Sequence, residues 1–329
     1  MASLRPFFIA LAIPASLVAC GGGEGVTPPA GPHYTYVANR AFVPTNNNQA
    51  RDFGLDLNGD KTVDNQLGMV LGTLAGQGFK VQDTIDLAVA QGDIILLVDF
   101  QTKDLMNTTG AGLNLKLGAM PMPPACTDKS MLSTCGCTDT TDPIDPTTCG
   151  SHLKGTGTFS IAAGSPDNAA VAGKIINGVF TGGPGDISLQ IALGGAMPIQ
   201  LDLIGARAKA TGITDSSMSE VILAGALTKA DLDSKVIPAV HAQLGPIITR
   251  DCTGTAPPDP CGCAANSTGK TIIGLFDTNP KDCTVTIDEI KTNSLIMSLL
   301  APDVTINGEE ALSLGIKITT VHGTFPTPE

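Results

Sequence analysis

The sequence contains no tryptophan, only two tyrosines and four histidines, and charged residues make up 15% of it. Sites for sugars and nucleobases rely on aromatic platforms, so this scarcity argues against both kinds of ligand. The formal net charge of −12 argues against nucleic acid again, because phosphate binding needs a basic face and none is visible. We therefore predict no nucleic-acid partner.

Motifs of the common catalytic sites are also missing. The chain has no Gly-x-Ser-x-Gly turn, no His-Glu-x-x-His, no Walker loop and no Gly-x-Gly-x-x-Gly. The histidines are scattered, and we expect each to be structural or solvated: His33, His152, His241 and His322. We therefore predict that the protein is not an enzyme, and an enzyme of unrecognised type ranks last among our hypotheses.

An apolar run over residues 7–19 opens the chain and ends in Leu17-Val-Ala-Cys20. The run is too short to span a membrane and has the layout of an export signal. Its end resembles the bacterial lipobox, whose cysteine becomes the lipid-bearing N-terminus. The resemblance implies a signal peptide over residues 1–19 and lipidation of Cys20. Because Gly21 replaces the aspartate of the inner-membrane retention signal, it also implies the outer membrane, on its periplasmic face or at the cell surface. An ordinary signal peptide with a stray cysteine is the alternative.

Eight cysteines follow Cys20, and an even number in an oxidising compartment indicates disulfides. Zinc is the rival interpretation, but Cys-Gly-Cys is too closely spaced for the usual zinc sites and no histidine lies inside either set. Neighbours in Cys-Gly-Cys are poorly placed to bond one another, so two pairings stay open in each of two similarly spaced sets. We favour the sequential pairing: Cys126–Cys135, Cys137–Cys149, Cys252–Cys261 and Cys263–Cys283.

The rest of the chain is predicted to be rich in strands, since 38 glycines and 23 prolines indicate many turns. Residues 20–33 are predicted to be the lipidated cysteine and a flexible tether. Residues 34–329 are predicted to form one α+β domain, a β-rich antiparallel sheet system with short helices, EF-hand-like loops near both ends and disulfide-stapled loops. Strands are expected over residues 34–43, 94–100, 158–161, 174–181 and 187–203, with a turn at 194–198. Helices are expected over residues 65–75, after an Asp83 N-cap, and over 228–244, where Pro238 should bend or split the helix.

Similar residues precede the two cysteine sets. Asp93-Ile-Ile-Leu followed by Thr102-Lys is echoed by Glu220-Val-Ile-Leu followed by Thr228-Lys. We interpret this as a partial internal repeat over about residues 93–149 and 220–283, with coincidence as the alternative.

The first acidic loop places oxygen-bearing side chains on alternate residues, a spacing that lets a tight loop direct several oxygens at one hard cation. It resembles dockerin and other EF-hand-like calcium loops. The resemblance implies a set of ligands in which Thr62 contributes its carbonyl: Asp56, Asn58, Asp60, Thr62 and Asp64. Val63 would anchor the loop to the core. Lys61 and Leu67 depart from the pattern, because they stand where a glycine and a bidentate acid belong. A surface cluster of Asx turns is the alternative.

The second acidic loop fits the same pattern if one residue is inserted after Asn279. The implied ligands, with Thr284 acting through its carbonyl and Glu289 as the bidentate acid, are Asp277, Asn279, Asp282, Thr284, Thr286 and Glu289. Cys283 takes the glycine position and Val285 the anchor position. A helix is expected from about Ile287 to Pro302, with Leu295, Ile296, Leu299 and Leu300 on its buried side. Acidic turns without an ion are again the alternative.

In overall arrangement the chain resembles myxobacterial-type exported lipoproteins of unknown function. The resemblance rests on the lipobox, on Asp56-Leu-Asn-Gly-Asp leading to Gly68, and on Cys283-Thr-Val-Thr leading to Asp303, and it implies no activity. Our leading hypothesis is a calcium-binding, disulfide-stabilised lipoprotein that acts as a binding or structural module, with Ca²⁺ in a structural role. The second is a carrier of an apolar ligand in a cavity lined by residues 187–203. The predicted partner is the membrane, through the lipid; the sequence specifies no protein partner or apolar ligand.

Overall fold

The computed structural model describes residues 25–76, 80–141, 143–165, 170–191, 199–253 and 261–327. The predicted signal peptide, the predicted lipidation site Cys20 and the predicted turn at residues 194–198 lie outside these residues.

The described chain folds into ten strands and eight α-helices. The strands are β1 (His33–Phe42), β2 (Leu96–Thr102), β3 (Thr108–Met122), β4 (Gly157–Ile161), β5 (Val171–Ile176), β6 (Val179–Ile191), β7 (Ile199–Ile213), β8 (Ser217–Thr228), β9 (Val304–Ile306) and β10 (Glu309–Thr324). The helices are α1 (Asn47–Asp52), α2 (Gln66–Gly76), α3 (Val81–Ala90), α4 (Lys229–Asp231), α5 (Ile237–Asp251), α6 (Thr268–Phe276), α7 (Ile287–Thr292) and α8 (Ser294–Leu299).

Eight of the strands close into an antiparallel barrel. The order around it is β1–β2–β3–β5–β6–β7–β8–β10, and β10 returns to β1 through pairs such as Val37 with Val321. β4 pairs with both β3 and β10, and β9 forms a short hairpin with β10. The β-rich antiparallel fold with short helices is confirmed. Closure into a barrel was not predicted.

Apolar side chains fill the barrel, because alternate residues of each strand point inward. The rings of Phe100 and Phe180 meet edge to face there, with centroids 5.1 Å apart. Further side chains in this core have no more than 1% of their surface exposed: Leu113, Leu115, Ile175, Ile187, Leu189, Leu201, Leu203 and Met218.

The two ends of the barrel differ in what connects the strands. At one end the connections are tight turns at residues 103–107, 177–178 and 214–216, and we call it the turn end. The connections that contain the helices α1–α3 and α4–α8 begin and finish at the other end, which we call the helix end. Among the described residues, no helix has both the length and the apolar character needed to cross a membrane.

The strand predicted over residues 174–181 is instead a hairpin between β5 and β6. Asn177 and Gly178 both have positive φ, 52° and 75°, which a two-residue type I′ turn requires. Apolar residues lie on both sides of this Asn-Gly pair, so the end of β5 and the start of β6 look like one strand in the sequence.

The helices around Asp83 and over residues 228–244 have other boundaries than predicted. Asp83 does not cap α3, which begins at Val81, so its carboxylate lies in the first turn instead. The predicted helix over residues 228–244 is interrupted as expected, by a π-helical turn at Leu232–Val236 directly before Pro238, and then continues to Asp251.

The predicted helix after residue 287 is two short helices, α7 and α8. They are divided at Asn293, whose side chain accepts hydrogen bonds from the Leu295 and Ile296 N–H groups and so caps α8. Leu295 is 49% exposed, so its predicted place on the buried side is wrong.

All eight cysteines after Cys20 are paired in disulfides. The sequential pairing is confirmed in the first set, as Cys126–Cys135 and Cys137–Cys149. In the second set it is wrong: the bridges are Cys252–Cys263 and Cys261–Cys283, the alternative that the Cys-Gly-Cys argument left open. An antiparallel bridge between Cys252 and Cys263 brings those two residues together, which frees Cys261 to reach the second acidic loop.

The two stretches interpreted as an internal repeat share a strand and then diverge. After β2, Thr102-Lys103 enters a turn that leads into β3, whereas after β8 the Thr228 side chain caps the helix α4. Their disulfides also pair differently. Within the described residues, the two stretches therefore follow the same course only through the strand.

The described part of the predicted tether, from residue 25 onward, lies against the barrel. The Thr27 N–H donates to the Thr109 carbonyl (2.9 Å), and the Thr102 N–H donates to the Pro32 carbonyl (3.2 Å). Gly112 makes room for this segment, since a Cβ there would lie 2.5 Å from the Pro29 ring. Residues 27–32 are thus a docked strap and not a free tether.

Candidate metal-binding loops

The first acidic loop, between α1 and α2, is held by hydrogen bonds from its own backbone. Asp56 accepts from the N–H groups of Gly59 (2.6 Å) and Lys61 (3.0 Å). Asn58 Oδ1 accepts from the Asp60 N–H (2.9 Å), and Asp60 Oδ1 accepts from both the N–H and the hydroxyl of Thr62. Successive side chains therefore turn inward towards the backbone of one tight loop.

Leu57, and not Val63, anchors this loop to the core. Val63 is 52% exposed, so its predicted role is wrong. Leu57 is buried against residues of β8, β9 and β10, including Ala224 and Val304. Asp64 supports this arrangement, because its Oδ2 accepts from the Leu57 N–H (2.7 Å).

Asn65 joins the loop to the helix that follows and to the barrel. Its buried side-chain amide donates to the carbonyls of Ala50 (2.9 Å) and Gly315 (3.0 Å). Its oxygen accepts from the N–H groups of Gly315 (2.7 Å) and Gly68 (3.0 Å), and the last of these bonds caps α2. Leu67, at the position of the bidentate acid, is buried in the core.

The second acidic loop, between α6 and α7, shares several of these internal bonds. Asp277 accepts from the N–H groups of Asp282 (3.0 Å) and Cys283 (2.9 Å). Asp282 accepts from the N–H (3.0 Å) and hydroxyl (2.6 Å) of Thr284, as Asp60 does from Thr62. Asn279 is exposed at the tip of the loop.

The two loops correspond when one residue is inserted after Asn279. Lys61 and Cys283 then occupy the same position, and both have a positive φ, 71° and 68°. Few residues other than glycine adopt such a backbone, and EF-hand loops place glycine at this position for that reason. In each loop its N–H also binds the first aspartate, Asp56 or Asp277.

Glu289 closes the second loop from within. Its Oε1 accepts from the N–H groups of Thr278 (2.9 Å) and Asn279 (3.2 Å), and its Oε2 accepts from the N–H and hydroxyl of Thr286. Thr286 in turn caps α7, so the two residues form a capping box. Glu289 is predicted as a bidentate ligand, and here both of its oxygens bind the loop itself.

The pKa values of three aspartates in these loops, Asp60, Asp64 and Asp282, are shifted from their usual range. Burial raises the pKa of Asp64; the Leu57 N–H opposes this, and the neighbouring carboxylates of Asp60, Asp303 and Asp56 raise it further. A cation would relieve that repulsion. By contrast, hydrogen bonds from Thr62 and Thr284 hold the pKa values of Asp60 and Asp282 below their usual range.

In Glu289 two effects oppose one another. Burial raises the pKa of its carboxyl, but the hydrogen bonds from Thr286, Thr278 and Asn279 outweigh burial and hold the pKa below its usual range. Glu289 is therefore ionised at neutral pH while it closes the loop.

Asp303 lies near the carboxylates of the first acidic loop, and the sequence analysis did not predict this. It lies before β9, and its carboxylate accepts from the N–H (2.8 Å) and hydroxyl of Ser313 on β10. The Ser313 hydroxyl accepts from the Gln66 N–H (2.7 Å) at the start of α2. No local spacing signals a residue that joins the loop from so far along the chain.

Among the described residues, one group of three side chains has the atoms of histidine, cysteine or carboxylate ligands within 4.8 Å of one another: Cys261, Asp277 and Cys283. The two cysteines form a disulfide, so neither offers the thiolate that metals bind. The described carboxylates of the first loop do not place three oxygens this close to one another. An ion in that loop would therefore also need the side-chain amide oxygen of Asn58 and backbone carbonyls as ligands.

Residues 187–203 do not line a cavity in the part that the structure describes. Ile187, Leu189, Leu201 and Leu203 have at most 1% of their surface exposed, whereas a cavity large enough for a carried molecule would leave more of its lining accessible. A cavity of about 20 Å³ lies between α3 and the strands β1 and β2. Ligand pockets are roughly 300–1,000 Å³, so this cavity is too small for a carried molecule.

No protein-family model, no curated protein and no solved structure matches this chain. Its function is therefore inferred from its own geometry.

Proposed function

We propose that this protein is an exported, lipid-anchored barrel that binds calcium through its two acidic loops and acts as a binding or structural module at the outer membrane. The observation that carries the proposal is the common geometry of the loops. Asp56 and Asp277 bind the N–H of the residue in the glycine position, and that residue has a positive φ in both loops. Two loops of unlike sequence that share a backbone shape support a common ligand.

Calcium fits the donors that these loops offer. The ligands would be the side-chain oxygens of Asp56, Asn58 and Asp60 with the Thr62 carbonyl, and the corresponding atoms of the second loop. All are hard oxygen donors, which Ca²⁺ and Mg²⁺ prefer, and a flexible, irregular loop suits Ca²⁺ better than Mg²⁺. With Lys61 and Leu67 at two key positions, we expect the weak affinity of extracellular modules, about 10⁻⁴–10⁻³ M.

The role of the ion would be to stabilise the fold. The first loop is tied to the barrel by Leu57 and Asn65, and the second is tied to the chain by the Cys261–Cys283 bridge. An ion in either loop would therefore hold a connection at the helix end in place. The lipid anchor is supported by the residues Leu17 to Cys20 alone.

The proposal is tested by the thermal unfolding of the soluble fragment 21–329 in millimolar calcium and in excess chelator. Calcium should raise the unfolding temperature by several degrees, because an ion that binds only the folded state stabilises it. Asp56→Asn and Asp277→Asn should each reduce the rise, whereas Asp215→Asn, an exposed acid at the turn end, should not. An identical unfolding temperature with and without calcium would reject the calcium sites.

A further inference from the structure

Two exposed apolar side chains lie together at the turn end of the barrel. Met106, in the β2–β3 turn, is 56% exposed, and Ile176, at the end of β5, is 53% exposed. Their turns are joined, since the Gly178 N–H donates to the Met106 carbonyl (2.9 Å) and the Asn177 N–H donates to Asn107 Oδ1 (3.0 Å). The pair is therefore held on a rigid support and is not on a loose loop.

The strap brings the N-terminal segment to the same place. Thr27 binds Thr109 through its N–H, and the two hydroxyls are 3.3 Å apart. Gly110 allows this approach, because a Cβ there would lie 2.6 Å from the Thr27 hydroxyl. Thr109 is only three residues from Met106, so the chain reaches the barrel beside the exposed pair.

Chain length limits how far the predicted lipid lies from this end. Thr27 lies seven positions after Cys20, and seven residues of fully extended chain span at most ~25 Å. Without the docked strap the limit would be set by His33, at ~45 Å. The docked strap therefore keeps the turn end close to whatever surface holds the lipid.

We propose that Met106 and Ile176 form a membrane-contacting tip, which enters the head-group region of the bilayer that holds the Cys20 lipid. The inference rests on the proposed lipidation. A bilayer suits the tip because both side chains are apolar and uncharged, and because Lys103 in the same turn is exposed and can meet lipid phosphates. The helix end, with both acidic loops, would then face away from the membrane.

The experiment uses the full lipidated protein with a single introduced thiol, Met106→Cys, labelled with a polarity-sensitive fluorophore. Vesicles are made of phosphatidylethanolamine with a minor share of phosphatidylglycerol. Met120→Cys is the matched control, because Met120 is 74% exposed on the same strand-turn unit but near the opposite end of β3. Ile176→Cys supplies a second label position. Mass spectrometry of the N-terminal peptide establishes the lipid on Cys20 first.

On vesicles, the labels at 106 and 176 should shift to shorter wavelength and be quenched by lipid-borne nitroxide several-fold more than the label at 120. Equal, water-like emission at all three positions in the lipidated protein would overturn the tip while leaving the lipid anchor intact. A shift that appears without vesicles and grows with protein concentration would assign the tip to a second copy and overturn the proposal. An unlipidated Cys20 would overturn the proposed anchor and the tip together.

Discussion

Replacing His152 should remove a large part of the acid sensitivity of this protein. His152 is fully buried between Val89, Gly92 and Phe159, and in the described structure neither ring nitrogen has a hydrogen-bond partner. Burial lowers the pKa of His152 from 6.5 to about 4, and the nearby Val89 backbone, which does not form a full hydrogen bond with the ring, opposes this without outweighing it. Each pKa unit corresponds to about 1.4 kcal/mol, so protonation costs the folded state about 3 kcal/mol.

The sign follows from which state binds the proton. Above pH 6.5 the imidazole is neutral in both states, and stability does not depend on it. Between pH 6.5 and about 4 the unfolded chain takes up a proton that the folded chain does not, so the free energy of unfolding falls as the pH falls. At about pH 5 the loss should reach about 2 kcal/mol, and it should level off below about pH 4.

The measurement is urea unfolding followed by far-ultraviolet circular dichroism, since the chain has no tryptophan to report on folding. His152→Leu keeps an apolar side chain of similar size and cannot titrate. Between about pH 7.5 and pH 5 the wild type should lose about 2 kcal/mol more than this variant. His322→Gln, which removes a half-buried histidine, should behave like the wild type. Equal losses in the wild type and His152→Leu would refute the reasoning.

Two further variants test the connections at the helix end. Asn65→Ala removes four hydrogen bonds to buried backbone groups. The free energy of unfolding, measured in urea, should therefore fall by about 3–5 kcal/mol. A loss below about 1 kcal/mol would contradict the role of Asn65. Glu289→Ala removes the capping box and the closure of the second loop, so it should cost about 2 kcal/mol even in excess chelator. An effect of Glu289→Ala that appears only with calcium present would instead make Glu289 a ligand alone.

The sequence predicts much of the local structure of the acidic loops. The correspondence between Asp56–Thr62 and Asp277–Thr284, with one inserted residue, follows from spacing alone because these bonds join residues close in the chain. Val63 was placed wrongly because anchoring depends on which side chain meets β8 and β10, and that contact is made with residues far along the chain.

Long-range contacts account for the other differences. Asp303 joins the first cluster, and Cys261 pairs with Cys283 and not with Cys252, for reasons that only the folded chain contains. The closure of eight strands into a barrel also depends on a long-range contact. The alternation of apolar residues in β6 and β7 indicates a buried face, but it does not indicate that β10 pairs with β1.

The pairing of β10 with β1 determines when the barrel can form during synthesis and folding. The free edge of β1 is covered only when it pairs with β10, the sixteen-residue strand Glu309–Thr324. The barrel therefore cannot close until the chain has been synthesised through β10. Until then β1 and β8 present unpaired edges to other chains, which favours aggregation. Such non-local closure also folds slowly. Folding of the barrel therefore lags behind synthesis of most of the chain, and a truncation before residue 309 would leave an open, aggregation-prone sheet.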